Sequence, residues 1–305
     1  MKLSVNTGFL VNRYPTARQW CEVINQINVK NVQITADLFS PYYPDHILKE
    51  EVKNINHLSE KYSFKILSSF TGAFTRVNHF CHPDEKVREY WLEWFDRYAE
   101  YSSQIGAKKI GSHIGILSIP DNLKSRKIFQ NRCIEYWKRL STIVKKYGIE
   151  ELTWEHMSIE REQGHLCEDI DYLLNQLSNA EIPINLCLDP DHGDLTSSNS
   201  EDYEPYGLIK KYIQSSSQIH LKQTSLDKRK NGPFNKMNNK NGLIKADKVL
   251  DNIIEFKTNN IENLELILEL NAREREPDDS EIVQNVAFSL DYWREALKSK
   301  NINFE

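Results

Sequence analysis

Short apolar runs alternate with longer amphipathic stretches along the whole chain of 305 residues. The runs have the length of buried strands, and the stretches between them repeat apolar residues at three and four positions, as helices do. This alternation constrains the fold most, because strands separated by helices pair in parallel. The runs are LSVNTG (3–8), VQITADLF (32–39), FKILSSF (64–70), KKIGSHIG (108–115), ELTWE (151–155), PINLCLD (183–189), QIHLKQ (218–223) and LELILEL (264–270).

The strand–helix units follow one another at intervals of roughly 25 to 45 residues, which is typical of βα repeats. Helix boundary signals support the division, since Thr16-x-x-Gln19 has the pattern of a capping box and Gly148 after Tyr147 suits a helix C-terminus. Eight units in a chain of this length predict a (β/α)8 TIM barrel that occupies residues 1–305 as a single domain. Spacing alone leaves a doubly wound open sheet as the alternative.

Composition and charge narrow the class of protein. The net charge is −5 and the pI is about 6.0, which argues against nucleic acid as a partner. No window reaches the roughly 18 apolar residues of a membrane span, and the N-terminus lacks the apolar core of a secretion signal. The protein is therefore predicted to be cytoplasmic. Its five cysteines are odd in number and form no C-x-x-C pair, which disfavours a disulfide framework or a zinc ribbon.

Four successive predicted strands, the fifth to the eighth, end in side chains that can bind a metal ion. These side chains are Glu155, Asp189, His220 and Glu269. In a barrel of this type, functional residues lie at the carboxyl ends of the strands. Side chains alternate between the two faces of a strand, so Glu269 points into the barrel mouth if the leucines of the eighth run face the helices. By the same rule, Lys222 shares the face of His220.

Three carboxylates and one imidazole form a hard ligand set. Such a set suits Mn²⁺, Mg²⁺ or Co²⁺, with Zn²⁺ as a further candidate. Each residue alone has a simpler interpretation: Asp189 as a helix N-cap, His220 as a core histidine, and Glu155 as a partner in a salt bridge. Their joint occurrence on four consecutive strands favours a shared metal site, provided that the fold is a barrel.

This order of residues resembles that of the xylose isomerase-like barrels. The group includes sugar and sugar-phosphate isomerases, ketose 3-epimerases and a DNA-repair endonuclease branch. The resemblance extends over nearly the whole chain by strand order and is most specific in the second half. It implies that the metal ligands are Glu155, Asp189, His220 and Glu269. In the ketose epimerases the sixth strand reads Asp-x-x-His, so the sequence DPDH here implies that His192 faces the substrate.

A narrower resemblance is to the tetrulose-phosphate 3-epimerases of erythritol breakdown. It is carried by GAFTRVNHFCHPDEKVREYWLEWFDRYAEYSSQIGAKKIGSHIG and HLKQTSLDKRKNGPFNKMNNKNG. Many members of the wider family read His-Leu-Lys-Asp at the seventh strand, whereas Gln223 follows Lys222 here. A substrate phosphate needs cations, and Lys222 and Lys228 are predicted to bind substrate, with a solvated loop as the alternative for Lys228. His113, at the end of the fourth run, is predicted to line the pocket, with structural packing as the alternative.

The predicted activity is metal-dependent 3-epimerisation of a ketose phosphate, with a tetrulose phosphate as the candidate substrate. A metal ion stabilises the enediolate that forms when a proton leaves the carbon beside the ketone. Glu155 and Glu269 are the predicted catalytic residues, because epimerisation needs a base and an acid on opposite faces. The alternatives on the same fold are an aldose–ketose isomerase or dehydratase, a DNA-repair endonuclease, and a non-catalytic sugar-binding protein. The predicted partner is a small sugar or sugar phosphate, and the family implies a homo-oligomer.

Overall fold

The structure is a computed structural model that describes residues 1–225, 232–270 and 279–304. Within these ranges, eight parallel strands form a closed barrel in sequential order. The last strand pairs with the first, for example Leu268 with Val5. The predicted (β/α)8 TIM barrel is therefore confirmed, and the open-sheet alternative is wrong. That residues 1–305 form a single domain stays a prediction. The strands are β1 (Lys2–Asn6), β2 (Asn31–Thr35), β3 (Lys65–Phe70), β4 (Lys109–His113), β5 (Glu151–Glu155), β6 (Ile184–Leu188), β7 (Ser216–Leu221) and β8 (Glu265–Leu268).

Helices connect the strands and contribute their apolar faces to the core. Among the largest fully buried side chains are Trp20, Trp137 and Trp293, which lie on three different helices. None of the helices in the described ranges has the length and apolarity needed to cross a membrane. The helices are α1 (Ala17–Gln26), α2 (Asp45–Tyr62), α3 (Glu85–Gln104), α4 (Ile119–Val144), α5 (Cys167–Leu177), α6 (Pro205–Tyr212), α7 (Lys236–Asn241), α8 (Ala246–Phe256) and α9 (Ile282–Ser299).

Two helix boundaries lie where the sequence predicted them. The Thr16 side chain accepts a hydrogen bond from the N–H of Gln19, and the Gln19 side chain accepts one from the N–H of Thr16, which forms the capping box of α1. Gly148 has a φ of 75° and ends the helical segment that continues α4. A left-handed conformation costs glycine little, so the chain turns there toward β5.

Polar side chains line the barrel interior on the side away from the carboxyl ends of the strands. Gln218 on β7 accepts a hydrogen bond from Thr153 Oγ1 at 2.8 Å and donates one to Glu265 Oε2 at 3.2 Å. Glu265 also accepts one from Ser68 at 3.0 Å and pairs with Lys109 at 3.0 Å. These partners come from β3, β4 and β7, so Glu265 faces the barrel axis. The alternation predicted for β8 is therefore confirmed.

Candidate active site

The four predicted metal ligands converge at the mouth of the barrel. Glu155 is the last residue of β5, His220 lies near the end of β7, and Asp189 and Glu269 directly follow β6 and β8. One oxygen or nitrogen atom from each side chain lies within 4.8 Å of the other three. The carboxyl ends of four adjacent strands thus bring one ligand atom each to a space that a single ion would fill.

His220 contacts two of the other three residues in this cluster. Its Nδ1 lies 2.8 Å from Glu155 Oε1 and 3.5 Å from Glu269 Oε2. On the other side of the ring, Nε2 lies 3.0 Å from Gln33 Oε1. Burial opposes protonation of the ring, but the neighbouring Cys187 and the two glutamates raise the pKa of His220 well above its usual value. The carboxylates beside Nδ1 therefore favour the charged form of the ring.

Lys222, two residues after His220, places its ammonium group among the same carboxylates. Its Nζ forms an ion pair with Asp189 and lies 3.3 Å from Glu269 Oε2 and 3.2 Å from His192 Nε2. The residue is only 2% exposed. Burial alone would lower the pKa of Lys222, but the carboxylates of Asp189 and Glu269 outweigh it and raise the pKa. Lys222 is therefore a charged part of the cluster.

His192 presents an unprotonated nitrogen to the cluster. Its Nδ1 donates a hydrogen bond to the carbonyl oxygen of His156 at 3.0 Å, so the single proton of the neutral ring is on Nδ1. Burial holds the pKa of His192 well below its usual value and keeps the ring neutral. The lone pair of Nε2 is left to accept a hydrogen bond from Lys222 or from a bound hydroxyl group.

The segment that follows β6 is fixed by its own backbone contacts. Asp189 Oδ1 accepts a hydrogen bond from the N–H of Asp191 at 2.9 Å. A Cβ atom on Gly193 would overlap the backbone of Tyr203, so only glycine fits there. Asp189 does not cap a helix, because the next helix, α6, begins after the side-chain cap of Glu204. The carboxylate of Asp189 is instead directed into the barrel mouth.

The cluster fits a hard divalent cation. Its three carboxylates and Lys222 leave an excess of negative charge in a place with little solvent. Burial, opposed by His220, raises the pKa of Glu155, as expected for a carboxylate that lacks sufficient positive charge nearby. A divalent ion would leave three carboxylates, one ammonium and a neutral imidazole without net charge. Oxygen and imidazole donors suit Mn²⁺, Mg²⁺ or Co²⁺.

Two further residues were predicted to contact substrate. His113 ends β4, and both of its ring nitrogens have partners within the protein. Its Nε2 lies 2.8 Å from the carbonyl oxygen of Val77, its Nδ1 lies 3.4 Å from Ser112 Oγ, and its ring centroid is 4.4 Å from that of His79. These contacts favour the packing alternative, and a role in substrate binding stays a prediction. Lys228 lies outside the described residues.

Two residues that contact His220, one on β2 and one on β3, were not predicted from the sequence. Gln33 on β2 contacts His220 Nε2, and the ring of Phe70 on β3 packs edge-on against His220 with centroids 5.0 Å apart. A sequence feature that could have indicated Gln33 is its polar side chain between two apolar residues at the start of VQITADLF. In the structure this side chain is fully buried. Phe70 is an ordinary apolar residue at a strand end, and nothing in its type indicates this contact.

Comparisons with known proteins agree with the fold. Residues 21–295 match the family described as the xylose isomerase-like TIM barrel. The chain belongs to this family. A D-erythrulose 1-phosphate 3-epimerase from Brucella abortus (strain 2308) is 30% identical to it over 298 residues, which is 96% of this chain and 95% of that protein.

Solved structures resemble this xylose isomerase-like barrel over almost its whole length. A putative xylose isomerase from Rhodospirillum rubrum has a TM-score of 0.81 at 19% identity, and the match covers 97% of this chain and 99% of the other. D-Psicose 3-epimerase from Clostridium cellulolyticum H10, solved with D-tagatose, has a TM-score of 0.71 at 12% identity with the same coverage. At these identities the likeness concerns the fold. The D-erythrulose 1-phosphate 3-epimerase, as a relative over nearly the whole chain, confirms the prediction of an isomerase that acts on carbohydrates.

Proposed function

We propose that this protein is a metal-dependent 3-epimerase of a ketose phosphate, and that its substrate is a tetrulose phosphate such as erythrulose 1-phosphate. The observation that carries the proposal is the pair of carboxylates at His220. Glu155 from β5 and Glu269 from β8 reach the same imidazole nitrogen, at 2.8 and 3.5 Å, from strands three places apart in the barrel. The 30% identical D-erythrulose 1-phosphate 3-epimerase supports the choice of substrate.

Glu155 and Glu269 exchange protons with carbon 3 of the substrate. That carbon lies beside the ketone, and one glutamate removes its proton while the other returns a proton to the opposite face of the planar enediolate. The glutamate that returns a proton starts protonated and the glutamate that removes a proton ends protonated, so proton exchange with water restores the pair. Glu155, Asp189, His220 and Glu269 would hold the ion, which would supply Lewis-acid stabilisation of the negative charge that develops on the substrate oxygens.

Lys222 and His192 orient the oxygens of the substrate. Their polar atoms lie 3.2 Å apart beside the carboxylates of Asp189 and Glu269. The ammonium of Lys222 donates hydrogen bonds, and Nε2 of His192 accepts one from a hydroxyl group. Because Lys222 is buried among the ligands, we assign it to the reacting end of the substrate rather than to the phosphate. A phosphate contact by Lys228 remains part of this proposal.

The paired glutamates favour epimerisation over aldose–ketose isomerisation. Transfer of a proton between adjacent carbons on one face needs a single acid–base group, whereas inversion at carbon 3 needs one on each face. The ion would be Mn²⁺, Mg²⁺ or Co²⁺. A phosphorylated substrate is charged and stays in the compartment that makes it, which is consistent with the cytoplasmic location predicted from the sequence. The homo-oligomer stays a prediction.

Solvent isotope exchange tests the proposed reaction. The Mn²⁺-loaded protein would be incubated in deuterium oxide with D-erythrulose 1-phosphate, D-erythrulose 4-phosphate and unphosphorylated D-erythrulose. We expect deuterium at carbon 3 together with the L-epimer, fastest with a phosphorylated substrate. Deuterium at carbon 1 of the 4-phosphate, without the L-epimer, would show isomerisation instead.

Matched variants separate catalysis from folding. Glu155→Gln and Glu269→Gln should each lower the exchange rate by about 10²- to 10⁴-fold. Glu151→Gln and Glu265→Gln change the same side chain four residues earlier on the same two strands, where both glutamates pair with Lys109. The proposal is wrong if the first pair exchanges carbon 3 as fast as the second pair does.

A further inference from the structure

The neutral imidazole of His220 has two possible proton positions, and only one of them leaves a lone pair facing the cluster. A metal ligand must present an unprotonated nitrogen. Nδ1 faces Glu155 and Glu269, and Nε2 faces Gln33. A ring protonated on Nδ1 alone would direct its lone pair away from the carboxylates. The position of this proton therefore decides whether His220 serves as a ligand.

The hydrogen bonds behind His220 specify that position, and they start from a backbone group whose role is fixed. The N–H of Gly8 only donates, and it lies 2.7 Å from Asn6 Oδ1. The amide of Asn6 must therefore point its oxygen at Gly8 and its nitrogen at Gln33. Asn6 Nδ2 lies 2.7 Å from Gln33 Oε1 and donates to it. The orientation of one side-chain amide thus sets the next.

The same logic extends from Gln33 to His220. A reversed Gln33 amide would place its NH₂ group against the NH₂ group of Asn6, so the atom that faces both neighbours must be the oxygen. His220 Nε2, 3.0 Å from this oxygen, then has to carry a hydrogen in order to donate. Gln33 Nε2, on the other side of the amide, has no partner among the described residues. With the proton fixed on Nε2, the lone pair of the neutral ring is on Nδ1.

The first strands of the barrel hold this set of hydrogen bonds rigidly. Asn6 ends β1 and caps the short 3-10 helix Thr7–Leu10, and Thr7 Oγ1 accepts a hydrogen bond from the N–H of Thr35 at the end of β2. Asn6 is 4% exposed, and Gln33 and His220 are fully buried. Water therefore does not offer Gln33 or His220 other partners.

We propose that Asn6 and Gln33 are positioning residues that keep the proton of His220 on Nε2 and so present Nδ1 to the metal ion. This inference rests on the proposed metal site, but it assigns a role to two residues of β1 and β2 that are outside that site. A hydrogen-bond partner behind a ligating histidine typically contributes 10- to 100-fold to metal affinity or activity. The partner is usually a carboxylate, a carbonyl or water, and here it is a side-chain amide whose orientation is fixed by a second amide.

Two measurements on the full chain test the proposal, with Mn²⁺ or Mg²⁺ alone as the probe. In the first, imidazole ¹H–¹⁵N correlation spectra of the Mg²⁺-loaded protein identify the protonated nitrogen of His220, assigned by its loss in His220→Gln. We expect a hydrogen on Nε2 and none on Nδ1. The opposite assignment would overturn the proposal, and this measurement requires no change at Gln33.

In the second, Mn²⁺ binding is titrated by the electron paramagnetic resonance signal of the free ion. Gln33→Leu should raise the Kd by about 10- to 100-fold. Gln218→Leu is the matched control, because Gln218 is equally buried and hydrogen-bonded inside the barrel but has Thr153 and Glu265 as partners. Its Kd should stay close to that of the unaltered chain. Asn6→Leu frees the Gln33 amide to reverse and should weaken binding in the same direction as Gln33→Leu.

The outcomes distinguish this inference from the proposed function. If the unaltered chain binds Mn²⁺, Asp189→Asn abolishes binding, and Gln33→Leu binds as tightly as Gln218→Leu, the positioning role is wrong and the metal site stands. If the unaltered chain binds no Mn²⁺, the metal site is wrong and the positioning role falls with it. Equal weakening by Gln33→Leu and Gln218→Leu would show a general effect on the barrel interior and would also overturn the role of Gln33.

Discussion

Strands β5–β8 and strands β1–β4 meet at the same barrel mouth but carry different chemistry. The second half supplies the charged and ionisable cluster at the ends of its strands. The first half supplies an amide from β2, a ring from β3 and, on β4, Gly111, which leaves room for that ring. One half thus provides candidate ligands, and the other fixes the orientation of His220. Titratable residues at strand ends reveal the first role, whereas the second shows only in contacts between distant strands.

The largest effect is expected from removing a ligand in the second half. Asp189→Asn keeps the shape of the side chain but removes its charge, so Mn²⁺ binding should be lost and activity should fall by about a thousandfold or more, because a metal ion contributes several kcal/mol to such reactions. Asp194→Asn is the control from the same segment, where the carboxylate accepts hydrogen bonds from the N–H and the hydroxyl of Thr196. Similar Mn²⁺ affinity and rate in the two variants would contradict the assignment of Asp189.

The next effect is a dependence of metal binding on pH. The pKa of His220 is raised above its usual value of about 6.5, so near neutral pH the ring must lose a proton before Nδ1 can bind an ion. Mn²⁺ affinity should therefore rise by about tenfold for each pH unit up to the raised pKa and then level off. Proton release during titration in weakly buffered solution would measure the coupling. A flat affinity and no release between about pH 6 and 8 would contradict the coupling of metal binding to deprotonation of His220.

A smaller effect is expected in the first half, at Gly111. A Cβ atom at this position would overlap the ring of Phe70, which packs against His220. Gly111→Ala should lower the free energy of unfolding by about 1–3 kcal/mol through overpacking and weaken Mn²⁺ binding as the Phe70 ring shifts. Gly207→Ala, on α6, is the control, since its new Cβ would lie 3.3 Å from Glu204 Oε2 and 3.9 Å from Glu204 Cβ and overlap neither. Unchanged Mn²⁺ affinity in Gly111→Ala would show that the position of the Phe70 ring does not affect metal binding.

The smallest effect on the site is expected at His113, the first-half residue predicted to contact substrate. Since its Nε2 is engaged by the carbonyl oxygen of Val77, His113→Phe should lower the free energy of unfolding by about 1–3 kcal/mol. Mn²⁺ affinity and KM should remain close to those of the unaltered chain. A large rise in KM with unchanged stability would instead make His113 a substrate contact.

The sequence predicted the features of the fold and site that follow from periodicity and from strand ends. The alternation of apolar runs and amphipathic stretches predicted the closed barrel. The alternation of side chains along β8 predicted that Glu265 faces its interior. The four candidate ligands could be predicted from residue type and order, and their side chains do converge. The burial of Lys222 among the ligands could not be read, because the length of its side chain lets it reach either the carboxylates or a more distant phosphate.

The supporting contacts could not be predicted for a physical reason. Gln33 meets His220 only because closure of the barrel brings β2 within three places of β7, although the two residues are 187 positions apart along the chain. Phe70 reaches His220 only because Gly111 on the neighbouring strand has no side chain. Such contacts depend on register and rotamer across the barrel, which residue types alone do not encode.

In this account β5–β8 supply the metal ligands, and β1–β4 fix the orientation of His220. The most direct test of this arrangement is a crystal structure of the Mn²⁺-soaked protein with anomalous differences recorded near the manganese edge. We expect one strong peak with Glu155, Asp189, Glu269 and the Nδ1 atom of His220 at about 2.0–2.6 Å, the range of such ligands around hard divalent ions. We also expect Gln33 to remain behind Nε2. A peak elsewhere, or an ion bound through Nε2 of His220, would contradict this arrangement.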